Sequence, residues 1–105
     1  MKVAFLVSDK NGIYSHLARS HRDVSFVAVY DIRMADRFNE TLEFIPVYGS
    51  YEKVIEIAKD GGIPVIAMSF LDEAFIKEVA AYGIGVFVSL DKERISDIIY
   101  SVGGG

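Results

Sequence analysis

The chain's densest group of ligand-type side chains runs from His16 to Arg22 and contains both histidines, Arg19, Arg22 and Ser20. Two neutral imidazoles can ligate a metal, and two guanidinium groups can hold carboxylates or phosphates. His16 and Ser20 are one helical turn apart, whereas His16 and His21 do not stack on one regular helix. The plain alternative is a solvated helix end carrying two surface histidines. Just upstream, Ser8-Asp9-Lys10-Asn11-Gly12 follows an apolar strand, the position beyond a strand's carboxyl end where open α/β sheets place ligands. The chain contains neither GxGxxG nor GxxxxGK[ST], so a plain turn competes with a contribution to a ligand crevice. Asp9 and Asp31 each close a strand, and a carboxylate pair could bind magnesium or move protons. If those strands run antiparallel, the two carboxylates sit at opposite ends of the sheet. Ser69 closes another strand without a GxSxG elbow around it, which argues against a serine hydrolase.

Composition narrows the classes further. At 105 residues the chain fits one domain, and 51% hydrophobic residues with seven Phe and six Tyr suffice for a core without staples. Cysteine is absent, which removes thiolate catalysis, disulfides and Cys-ligated zinc or iron–sulfur sites. A net charge of −4 argues against non-specific binding to nucleic acid or anionic membranes. No apolar run reaches the roughly 18 to 20 residues that span a bilayer. The opening MKVAFLVSD reads as a first strand rather than a secretion signal, so a cytoplasmic location is expected.

Elements must position these groups, and periodicity supplies them. Lys2 to Ser8 is a continuous apolar strand, and Ile13 to Ser20 predicts a short helix with Ile13 and Leu17 inward. Val24 to Ile32 is a second strand, Arg33 to Asn39 a hairpin connection, and Thr41 to Tyr48 an edge strand that tolerates Pro46. The period then changes. Ser50 caps a helix with Tyr51, Val54, Ile55 and Ala58 at i, i+3, i+4 and i+7, stopped by Gly61-Gly62. Gly61 to Leu90 forms a strand–helix–strand unit, with strands at Pro64 to Ser69 and Val86 to Leu90, an Asp72 cap and a Gly83 stop. Asp91 predicts a second Asp cap for a last helix with Ile95, Ile98, Ile99 and Val102 on one stripe. The glycines at 103–105 resemble the tail of ubiquitin-like modifiers, but the βαβ order favours a helix stop and a flexible tail. The expectation is a single α/β domain over 1–102 with a mixed five-stranded sheet flanked by helices, in βαββαβαβα order.

MKVAFLVSD, the Gly12-x-x-Ser15 start, the Ser20-His21-Arg22 turn, FVAVYDI, Gly49-Ser50, KDGGIPVIAM and LDEAFIKEVAAYGIGVFVSL together resemble the dinitrogenase iron–molybdenum cofactor biosynthesis family. The resemblance covers nearly the whole chain and lies more in layout than in motif. It implies a ribonuclease-H-like fold and a protein that carries or holds metallocluster precursors without being a hydrolase. The family's Gly-Gly after the central strand stands here as Met68-Ser69-Phe70, and its Ser-x-His-Phe-Gly-Arg turn as Ser20-His21-Arg22.

The resulting expectation is a non-enzymatic binding or carrier protein. Its crevice would draw on Asp9, Gly12, Ser15, His16, His21, Arg22 and Ser69. His16 and His21 would be the metal ligands, and the ligand an iron–sulfur or iron–molybdenum cluster precursor or a small anion. The rival is a protein–protein interaction module of the same fold that has lost the ligand site, or a homodimer through the Thr41 to Tyr48 edge. Neither nucleic acid nor membrane is expected as a partner.

Overall fold

The structure is a computed structural model that describes residues 1–31 and 42–103, with side chains through Ser101. Five strands form one sheet: β1 (Lys2–Val7), β2 (Phe26–Asp31), β3 (Leu42–Pro46), β4 (Val65–Met68) and β5 (Gly85–Val88). Three helices accompany them: α1 (Tyr51–Asp60), α2 (Glu73–Ala80) and α3 (Ile95–Gly103). The sheet order is β3-β2-β1-β4-β5. β1 pairs antiparallel with β2 and β2 with β3, whereas β1–β4 and β4–β5 are parallel. This is the mixed α/β sheet expected from the order of elements. The proposed hairpin at Arg33 to Asn39, the residue Thr41 and the last two glycines lie outside the described residues.

Strand alternation divides the core in two. Ala4, Leu6, Val27, Val29, Ile66 and Met68 face α1 and α2, meeting Val54, Ile55, Ala58, Phe75 and Val79. Val3, Phe5, Val7, Ala28, Tyr30 and Ala67 face the other way, toward Leu17 and the α3 residues Ile95 and Ile98. Burying each large side chain stabilises the fold by about 1.5 to 3 kcal/mol before entropy is counted. β1 lies centrally, and five of its six residues are buried.

The two predicted caps of the central helices form. Ser50 Oγ accepts from the Lys53 amide at 3.3 Å, and Asp72 Oδ1 accepts from the Phe75 amide at 3.1 Å. Gly83 ends α2 with φ +77, a conformation that L side chains rarely adopt.

Three expectations are corrected. Ile13 to Ser20 is not helical: a bridge joins Leu17 to Val7, and a 3-10 segment follows at His21–Asp23. The backbone there is claimed by other partners. Ser15 Oγ accepts from the Asn11 amide and donates to Gly12 O, while the Leu17 and Ala18 amides donate to Glu93 O and Leu6 O. Local side-chain bonds of this kind compete with helix formation, and eight residues are too few to resist them. Asp91 does not cap α3. That helix starts at Ile95, and Asp97 Oδ2 accepts from the Glu93 and Arg94 amides. Gly103, expected to begin the tail, is the last residue of α3.

Candidate functional site

Because β1, β4 and β5 run in parallel, their carboxyl ends open at one end of the sheet. The segment from Ser8 to Ser25 crosses this end, and the Ser69 to Asp72 and Ser89 to Arg94 loops join it there. Three polar arrangements occupy it.

The first joins Asp9 to His16. Asp9 Oδ1 accepts from the His16 amide at 2.7 Å, and Asp9 Oδ2 lies 2.9 Å from His16 Nδ1. Burial works against the Asp9 carboxylate. The ring and amide bonds from His16, with the charges of His16 and Arg94, more than offset it and hold the group below its ordinary pKa. With Asp9 ionised, His16 Nδ1 must carry the proton it donates, which leaves Nε2 as the other ring position. His16 is held from its other side by an antiparallel bridge to Arg94.

The second is built on Arg19. Its Nη1 donates to Ser69 Oγ at 2.7 Å and to Leu90 O at 3.1 Å, tying together the loops that leave β4 and β5. Ser69 is 3% exposed and donates in turn to Lys92 O at 3.0 Å. Met68 and Phe70 on either side are buried as well. The place where the resemblance implied a Gly-Gly backbone is therefore filled, and the serine hydroxyl is bonded within the protein.

The third is an aromatic stack. The His21 ring lies on Tyr51 with centroids 3.6 Å apart and planes 4° apart, and Tyr51 stacks on Phe75 at 4.2 Å. His21 Nε2 is 2.6 Å from Gly49 O. A carbonyl only accepts, so Nε2 carries the proton and Nδ1 is the open position. Gly49 has φ +80 and follows Tyr48 at φ +45, so the chain turns through the left-handed region to present that carbonyl. The Tyr51 hydroxyl donates to Asp72 Oδ2 at 2.8 Å. Burial, then the bond to Asp72 and its charge, push the Tyr51 hydroxyl well above its ordinary pKa. Asp72 is held below its own, first by the Phe75 amide and then by the Tyr51 hydroxyl.

The sequence-derived residues, Asp31 apart, therefore share one end of the sheet but separate into clusters. Asp9 and His16 lie by the approach to α3, whereas His21 sits at the start of α1, on the opposite face. Gly12, at φ +55, and the fully buried Ser15 close the first loop on itself. Arg22 is exposed in the 3-10 turn. Asp31 sits at the far end of the sheet, opposite Lys2 and 3.7 Å from the N-terminal ammonium, as antiparallel pairing requires. Among the described residues, no three His, Asp or Glu side chains gather as a metal-ligand group. Tyr51, Asp72 and Gly49 complete the arrangement without having been assigned to it from the sequence. Arg19 stood in the polar group, Asp72 was recognised only as a cap, and Tyr51 only as part of an apolar stripe.

A groove of about 470 Å³ lies elsewhere, between β3 and α1. Its floor is Val29, Ile45, Ile57 and Ile63, and its rim carries Lys2, Lys53, Glu43, Glu56 and Asp60. It holds no histidine, and its rim carries both signs of charge.

Fold and site together define a small α/β domain of ribonuclease-H-like layout whose polar groups collect beyond the parallel strands. No family model and no curated protein matches the chain. Solved structures do match it. PH0822 is similar at 25% identity with a TM-score of 0.76, over 99% of this chain and 92% of that one. The apo form of the orange protein from Desulfovibrio gigas is similar at 14% identity and a TM-score of 0.72, over 98% and 88%. A putative NifB protein from Thermotoga, TM1290, assigned to the DUF35 family, is similar at 16% identity and a TM-score of 0.73, over 99% and 88%. These last two likenesses carry the fold alone. No helix among the described residues is long and apolar enough to cross a membrane.

Proposed function

We propose that this is a small, non-enzymatic binding or carrier protein whose cargo is a metal-containing cluster or cluster precursor, held at the carboxyl ends of β1 and β4. The observation that carries this reading is the state of the two histidines. Each donates one ring N–H to a fixed acceptor, His16 to the Asp9 carboxylate and His21 to the Gly49 carbonyl. Metal-ligating imidazoles are held in this way, the bonded nitrogen fixing the tautomer and the other offering its lone pair. Both residues are exposed. The chain has no cysteine and no three-ligand group among the described residues. His16 and His21 lie on opposite faces of the sheet, so the donor set suits a preformed cluster that accepts a single imidazole, and does not suit a permanent structural metal. The fold shared with an apo orange protein and a putative NifB protein supports the same theme.

The test is reconstitution with iron–sulfur and molybdenum-containing clusters, followed by gel filtration with absorbance detection. Cluster absorbance should travel with the protein and be lost in His16→Ala/His21→Ala, with the far-ultraviolet circular dichroism unchanged. Absence of bound absorbance, or equal binding by the double variant, would refute the reading. A second reading, an interaction module without a ligand, is favoured by Ser69, whose hydroxyl is already engaged by Arg19 and Lys92. It predicts no cluster uptake under any of these conditions.

A further inference from the structure

The sheet has two edges, and they are built differently. β3 carries Glu43 and Pro46, both exposed, a charge and a non-donor of the kind that guards an edge strand against pairing. β5 is Gly-Val-Phe-Val, with no charge and no proline. Phe87 is 43% exposed, and Val86 and Val88 are half-buried.

The hydrogen bonds show which backbone groups β5 leaves open. The Gly85 amide donates to Pro64 O and the Ser89 amide to Met68 O, with Phe87 opposite Ala67. A parallel ladder uses alternate residues, so 85, 87 and 89 turn their N–H and C=O toward β4. Val86 and Val88 turn theirs outward, and no hydrogen bond of either outward pair occurs among the described residues. Backbone groups in this state call for an extended chain as occupant.

We propose that β5 pairs antiparallel with β5 of a second copy, about a two-fold axis through Phe87. The occupant follows from the strand itself. Val-Phe-Val reads the same in both directions around Phe87, so a two-fold axis there matches each Val86 to the second copy's Val88. Those are the two residues with outward backbone groups, and they exchange N–H···O bonds as a hydrogen-bonded pair. Phe87 then meets the second copy's Phe87 at the non-hydrogen-bonded position, where side chains approach most closely and aromatic pairs stabilise a sheet. No charge enters the joint, and the exposed ring is covered. The other two-fold registers that join outward groups face Phe87 with Gly85 or with Ser89, and neither pairs the two rings. The two sheets become one ten-stranded sheet, with the two carboxyl-end sites pointing in opposite directions. This pairing is independent of whether those sites hold a cluster.

The test is sedimentation equilibrium of the whole chain up to about 1 mM, the strength range of a small interface. The 11.6 kDa mass should double with concentration. Phe87→Lys and Phe87→Glu should each weaken self-association at least about 10-fold through lost stacking and like-charge opposition. An equimolar mixture of the two should restore a dimer, because opposite charges then face each other across the axis. Val88→Pro removes one outward N–H without touching the ladder to β4, and should likewise give a monomer with wild-type circular dichroism. A wild-type chain that stays monomeric at the highest concentration overturns the proposal. So does a dimer that both Phe87→Lys and Val88→Pro leave intact, or a charge-swapped mixture that remains monomeric.

Discussion

Asp72 joins two helices through one carboxylate, and its removal is the sharpest test of how the aromatic stack is held. Oδ1 caps α2 through the Phe75 amide at 3.1 Å, and Oδ2 accepts the Tyr51 hydroxyl at 2.8 Å from the first residue of α1. Losing an N-cap costs about 1 kcal/mol. The bond to Tyr51 has a charged acceptor, and half-burial of both groups discounts it to about 1 kcal/mol. Asp72→Ala should therefore lose about 2 kcal/mol, a fall in Tm of about 10 °C for a domain of this size. Asp72→Asn keeps a good cap and should lose about half of that. The pH dependence separates the two contributions. The folded protein holds Asp72 below its ordinary pKa, so its contribution is complete above the unfolded carboxylate value and fades as pH falls through the folded one. The stability gap between wild type and Asp72→Asn should accordingly be full at neutral pH and close on acidification below the ordinary carboxylate range. Thermal unfolding by circular dichroism across that range measures it. Equal pH slopes in the two proteins, or an Asp72→Ala variant as stable as wild type, would refute the reasoning.

Further outcomes follow from the same contacts. Phe75 is 1% exposed and supports both the core and the stack, so Phe75→Ala should cost about 3 to 5 kcal/mol in urea unfolding. Ser69→Ala leaves Arg19 Nη1 and Lys92 O without their shared hydroxyl, and should cost about 1 to 3 kcal/mol by the same measurement. His16 should show the Nδ1–H tautomer in long-range proton–nitrogen correlation spectra, and Asp9→Ala should return it to the commoner Nε2–H form. Gly83→Ala should destabilise by about 1 kcal/mol from its positive φ alone, since nothing lies within 4 Å of the added methyl.

Much of the fold was legible in the chain. The stretches Pro64 to Ser69 and Val86 to Leu90, the Ser50 and Asp72 caps and the stripe on Val54, Ile55 and Ala58 all found their places. Failures came where backbone groups found unexpected partners. Ile13 to Ser20 had apolar spacing for a helix, but the Asp9 carboxylate captured the His16 amide, and Glu93 O and Leu6 O took those of Leu17 and Ala18. Asp91 had the right residue type for a cap, yet Asp97 reached back to the amides of Glu93 and Arg94. The site was legible as a composition, with His16, Arg19, His21 and Ser69 in view, but its pairings were not. Arg19 and Ser69 are fifty residues apart in the chain.

By itself the sequence determined most of the periodicities, the Ser50 and Asp72 caps, the absence of thiol chemistry and the antiparallel-then-parallel sheet, because these depend on neighbours within a few residues, on composition or on the order of elements. Only the tertiary structure decided that His16 and His21 belong to opposite faces, that Arg19 occupies Ser69, and that Tyr51 carries His21 on its ring. Those facts depend on which amides and hydroxyls meet across the sheet once it closes, and spacing along the chain does not encode that meeting.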